Sequence, residues 1–207
     1  MRAVLAILAA LPLVLVLRGR LVAAAPVLPD AAECQTVPQR SLVVLFATPV
    51  AANMPAAATP EIPSTGTPAD AATTAAVTAT AHAVIACFNA GDYWSLVTLV
   101  SDDYLRRSFV EGTPVDPLAM ELAPFVNAVR GCQKCTIGPR EGEDRLAIAE
   151  IANARTLPNG RIGIDLTLAS PSGAKILPLV VALVKIDDRW LVDEIIAVKG
   201  EGTPTPS

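Results

Sequence analysis

From Asp70 to Ala90, Val77, Ala81, Val84, Ile85 and Phe88 recur three and four residues apart. That is the spacing of one face of an α-helix, so the stretch predicts an amphipathic helix. Gly91 supplies a left-handed stop, and Asp92 stands as the cap of a second, short helix bearing Leu96, Leu99 and Val100. Ser101, Asp102 and Asp103 repeat the cap and its negative first turn ahead of Tyr104 and Leu105. Asp116-Pro117 opens a further helix with the stripe Leu118, Leu122, Phe125, Val126 and Val129. Pro124 is expected to kink or divide it, and Gly131 to end it.

Near residue 140 the apolar period changes from three-and-four to two, the rhythm of strands. Ile162, Ile164, Leu166 and Leu168 share one face of a strand from Arg161 to Ala169, with Arg161, Asp165 and Thr167 on the other. Asn159-Gly160 before it is a favoured hairpin turn, which pairs Leu146 to Leu157 with it antiparallel. That hairpin decides for a strand, because Glu143 to Arg155 has a composition that suits a helix equally well. Ile176 to Ile186 is a nearly unbroken apolar run in which Pro178 marks an edge or a bulge. Asp187-Asp188 turns the chain into a last strand, Trp190 to Val198. The class expected is α+β, helices followed by a four-strand antiparallel meander.

Ahead of this domain, taken as 70–199, the pattern is different. Met1-Arg2 and the apolar run Ala3 to Leu17 resemble a signal peptide ending at Ala24, while Arg18 and Arg20 keep an uncleaved membrane anchor open as the alternative. The expected location is therefore exported, secreted or at the cell surface. Residues 25–46 form a short segment holding Cys34 and the apolar Leu42 to Phe46. Ala47 to Ala69 is an Ala, Pro and Thr-rich stretch whose prolines read as an extended linker through which no ladder runs. Residues 200–207 read as a disordered tail.

The chain has 207 residues and suits one domain with tails. A net charge of −4 without a basic block removes the electrostatic footprint of nucleic-acid binding. A single histidine, His82, excludes a zinc site of several imidazoles, and no metal or cofactor is expected. Cys132 and Cys135 form a C-x-x-C that follows a helix instead of starting one, which disfavours a redox role. With Cys34 and Cys87 they make four disulfide candidates and three possible connectivities.

Two stretches carry a resemblance to a family. Cys87-Phe88-Asn89-Ala90-Gly91-Asp92-Tyr93 followed by Ser101-Asp102-Asp103-Tyr104-Leu105, and the closing Asp187-Asp188-Arg189-Trp190-Leu191-Val192-Asp193-Glu194-Ile195, together resemble the nuclear transport factor 2-like superfamily. That superfamily includes the ketosteroid isomerases, scytalone dehydratase and polyketide-cyclase-like proteins. The resemblance implies N-terminal helices packed on the concave face of a curved antiparallel sheet, a cone-shaped, cystatin-like arrangement. The family's catalytic residues find no matching motif here, so no catalytic role is carried over.

Strict alternation places Glu194 on the face of Trp190, Val192, Ile196 and Val198, toward the helices, and Asp193 on the opposite, solvated face. Glu194 is then either a pocket acid or a rim carboxylate answered by Arg106 or Arg107. Tyr93, Trp94 and Tyr104 either orient a ligand at the mouth of a pocket or simply pack. The expected function is a non-catalytic module that holds a small apolar molecule or pairs, as a homodimer or otherwise, through the sheet face. The alternative is an isomerase- or dehydratase-like enzyme, which requires Glu194 inside a cavity.

Overall fold

The computed structural model describes residues 25–34, 62–63, 65–109, 116–131 and 138–198. The leader, the island at Leu42 to Phe46, most of the linker, the Cys132/Cys135 pair and the tail lie outside the described residues. Helix α1 (Ala71–Ala90) is capped by Asp70, whose carboxylate accepts from the Thr73 amide, and stopped by Gly91 at φ 69°. Helix α2 (Tyr93–Leu96) begins under the Asp92 cap and passes into a 3-10 turn at Val97–Leu99. Helix α3 (Asp102–Phe109) follows Ser101, whose Oγ accepts from the Tyr104 amide. Helix α4 (Pro117–Gly131) starts at the Asp116 cap and runs through Pro124 as one element, so the proline does not divide it.

Among the described residues five strands form one antiparallel sheet in sequence order: β1 (Thr67–Pro68), β2 (Ala147–Thr156), β3 (Ile162–Ala169), β4 (Ile176–Ile186) and β5 (Arg189–Ala197). The four long strands fall on the four stretches expected to be extended. At the β4–β5 turn Asp187 and Asp188 both take positive φ, 47° and 61°, as the tightest hairpin loops require. Strand β1 lies inside the stretch read as linker, and it corrects the expectation that no ladder forms there. Two residues suffice to pair with Thr156 and Arg155, and Pro68 is tolerated because it stands at the sheet edge.

Both edges of the sheet are covered in part. On the β2 side, Val27 exchanges two backbone hydrogen bonds of 2.7 Å with Ile148, at the other end of the strand from β1. On the β5 side, the Ser101 amide donates to the Val192 carbonyl. Such local cover blunts the tendency of free edges to pair with other chains. The segment around Val27 continues over a turn at Ala31–Glu33, closed by an Asp30/Glu33 capping box, to a disulfide between Cys34 and Cys87. It is thereby fixed both to β2 and to α1.

Helices α1 and α4 face the side of the sheet that carries Ile164, Leu166 and Leu168, with Leu179, Val181 and Leu183 of β4, in one continuous core. On the other side Ile62 lies buried with Leu157 and Ala182 in a small second cluster. In the β4–β5 pairing the register shifts between Ala182 and Leu183 of β4, which stand opposite Glu194 and Val192 of β5. Asp193 is the extra residue of this bulge, and it reverses the alternation over the remainder of the strand.

Candidate functional site

Between α1, α4 and the sheet lies a cavity of about 350 Å³. Its walls arise where two periodicities meet. Helix α1 contributes Val84, Ile85 and Phe88 from its apolar stripe, and β3 and β4 contribute the alternate residues from Ile164 to Leu168 and from Leu177 to Leu183. Val192 and Ile195 of β5 complete the floor, and Leu118 and Met120 of α4 the opposite wall. Every one of these side chains is apolar, so the helix layer and the sheet leave space that neither fills. Among the described lining residues only Glu121 and Arg140 are charged.

These two form a pair. Arg140 Nη2 donates to Glu121 Oε2 at 2.6 Å, and its guanidinium lies 4.1 Å from the centre of the Phe88 ring. Its Nη1 reaches the Asp144 carbonyl at 3.3 Å, and its backbone amide donates to the Asn89 carbonyl. Arg140 therefore ties α1, α4 and the approach to β2 together at the cavity. Asn89 assists: its buried amide both donates to and accepts from the Leu146 backbone at 2.8 Å, mimicking a strand neighbour where the sheet begins.

None of the five residues expected at a pocket lines this cavity. Glu194 is buried, at 8% exposure, but the bulge at Asp193 gives its place on the cavity face to Ile195. Its partner is Arg161, whose Nη1 holds Glu194 Oε2 at 2.7 Å and Asp193 Oδ2 at 2.9 Å. Asp193, expected in solvent, is equally buried and also accepts from Ser101 Oγ at 2.5 Å, with Arg107 at 3.6 Å. Partial burial opposes the charge on Arg161, yet the hydrogen bonds and charges of Glu194 and Asp193 outweigh it and raise its pKa. The cluster joins α3 to β5 and to the start of β3, and none of its residues lines the cavity.

The aromatic candidates pack. Tyr93 stacks on Phe125 with ring centres 5.8 Å apart, and Trp94 meets Phe125 edge-on at 5.0 Å. Trp190 is half-buried against the core. Tyr104 is buried and donates from its hydroxyl to Asp116 Oδ1 at 2.8 Å; burial first, then the Asp116 charge, drives its pKa far above that of an ordinary tyrosine. His82 sits at the boundary, 3.1 Å from Glu33. Among the described residues no three His, Cys, Asp or Glu side chains converge as metal ligands would.

Asp116 gives a testable pH dependence. Burial raises its pKa, against the lowering effect of the Ala119 amide and the Tyr104 hydroxyl. A carboxyl raised in the folded state binds its proton more tightly there than in the unfolded chain. Its contribution to stability is therefore present in acid and is lost as pH rises through the folded value. Asp116→Asn keeps an acceptor for both partners without the charge. Urea unfolding of the two proteins should show the balance moving in favour of the asparagine variant as pH rises above about 4, the ordinary aspartate value.

No family model, curated protein or solved structure matches this chain. The reading of function thus stands on the site itself.

Proposed function

We propose that this domain binds a small apolar molecule between its helices and its sheet, without a catalytic group of its own in the cavity. The observation that carries this reading is a space of about 350 Å³ walled by aliphatic and aromatic side chains. Ligand sites have this character, concave and largely apolar with few polar groups. A cavity of ~150 Å³ already holds benzene, so roughly twice that volume accommodates a monocyclic molecule with a short alkyl chain. The sequence resemblance to the nuclear transport factor 2-like cone supports the same reading, since helices covering a sheet are what enclose such a space. Export, suggested by the N-terminal pattern and consistent with a disulfide, would make the domain a carrier or sensor outside the cytoplasm. The enzymatic alternative required Glu194 inside the cavity, whereas Glu194 is paired with Arg161 and does not line it.

The test is titration of the oxidised chain with the neutral fluorophore N-phenyl-1-naphthylamine, followed by competition with butylbenzene. Saturable binding displaced by butylbenzene is expected. Leu166→Trp projects an indole into the cavity from the middle of β3 and should weaken binding at least tenfold while the fold persists. Fluorescence that never saturates, or that ignores Leu166→Trp, would remove the proposal.

A further inference from the structure

The pairing of Glu121 with Arg140 bears on which apolar molecules enter, provided that the cavity is the binding site. We infer that Glu121 is a specificity-determining residue: by neutralising Arg140 it makes the cavity accept uncharged apolar molecules and refuse ionised carboxylic acids. A carboxylate taken from water into such a space needs a compensating charge and hydrogen bonds. Arg140 is the one cation among the described lining residues, and it is already committed. One terminal nitrogen holds Glu121 at 2.6 Å and the other the Asp144 carbonyl. Its Nε has no hydrogen-bond partner but is buried, so it offers the cavity no accessible donor. The Phe88 ring covers one face of the guanidinium.

An acid approaching the Arg140 end therefore meets a paired charge and, beside it, the like charge of Glu121. A ketone, an ester or a hydrocarbon meets neither penalty. The selectivity sits in a single replaceable group: without the Glu121 charge, Arg140 becomes a free counter-ion at the wall of an apolar space, the arrangement that holds the head of an aryl-alkanoic or short fatty acid. Glu121 is 48% exposed on α4, so its charge can be removed without leaving a buried hole.

The experiment compares three molecules of one shape, butylbenzene, 4-phenylbutanoic acid and its methyl ester, as competitors against N-phenyl-1-naphthylamine at pH 7. The wild-type protein should bind the ester at least tenfold more tightly than the acid. In Glu121→Gln the acid-to-ester affinity ratio should rise about tenfold, and in Arg140→Met it should fall below the wild-type ratio. An acid that matches its ester on the wild-type protein, or a ratio that Glu121→Gln leaves in place, overturns the inference while the cavity reading stands. Failure of butylbenzene itself to compete would overturn the cavity reading, and this inference with it.

Discussion

Replacing Arg161 with methionine should cost about 3–5 kcal/mol of folding stability, the range for removing one partner of a buried ion pair. The side chain is 17% exposed, and a single terminal nitrogen holds both Asp193 and Glu194. Methionine fills much of the same volume, so the loss reads out the stranded carboxylates rather than a hole. Arg107 remains near Asp193 at 3.6 Å, whereas Glu194 has no second cation within ion-pair distance among the described residues. The midpoint of urea unfolding should fall with an unchanged slope. The deficit should shrink on acidification, since a proton taken up by a stranded carboxylate removes the uncompensated charge. A loss below about 1 kcal/mol would instead put this cluster in the class of solvated surface pairs.

Cleaving the Cys34–Cys87 bond should remove about 4 kcal/mol, the loop-entropy value for a closure of this length. The bond spans 53 positions in sequence and anchors residues 25–34 to α1, while Val27 anchors the same segment to β2. Reduction, or Cys34→Ser with Cys87→Ser, frees the unfolded chain and also loosens the strap over the sheet edge. The thermal midpoint should fall on the order of 10 °C. Mass spectrometry of a tryptic digest checks the linkage itself. A midpoint that does not move on reduction would show that the strap adds nothing to stability.

Much of the fold was legible because local signals agreed with one another. Asp70 and Gly91 bracket α1, Asp116-Pro117 opens α4, and Asn159-Gly160 and Asp187-Asp188 fix the hairpins that set the register of the long strands they join. Alternation along β3 put Ile164, Leu166 and Leu168 on one face, and in the structure that face lines the cavity. What failed was alternation carried through β5. A bulge adds one residue without any glycine or proline to announce it, and Glu194 moved from the expected cavity face to a salt bridge. The lone hint was two consecutive acids inside an apolar strand, which cannot both be solvated if the strand is covered.

The charged pair at the cavity was missed for a different reason. Arg140 stands in a polar connection, Arg140 to Asp144, that reads as solvated surface, and Glu121 is nineteen residues away on a helix. Only the tertiary fold brings them together over Phe88. The available signal was Glu121 itself, a single acid within the largely apolar run from Pro117 to Val126. Strand β1 escaped because two residues are too short for any periodicity to show.

The most direct measurement is a methyl-resolved NMR titration of the oxidised protein with butylbenzene. Intermolecular NOEs from the ligand to the methyl groups of Val84, Ile164, Leu166, Leu179 and Ile195 are the predicted result, because those side chains meet in the cavity from helix and sheet. Contacts confined to surface methyls such as Ile176 and Val198, with the interior signals unmoved, would contradict the account.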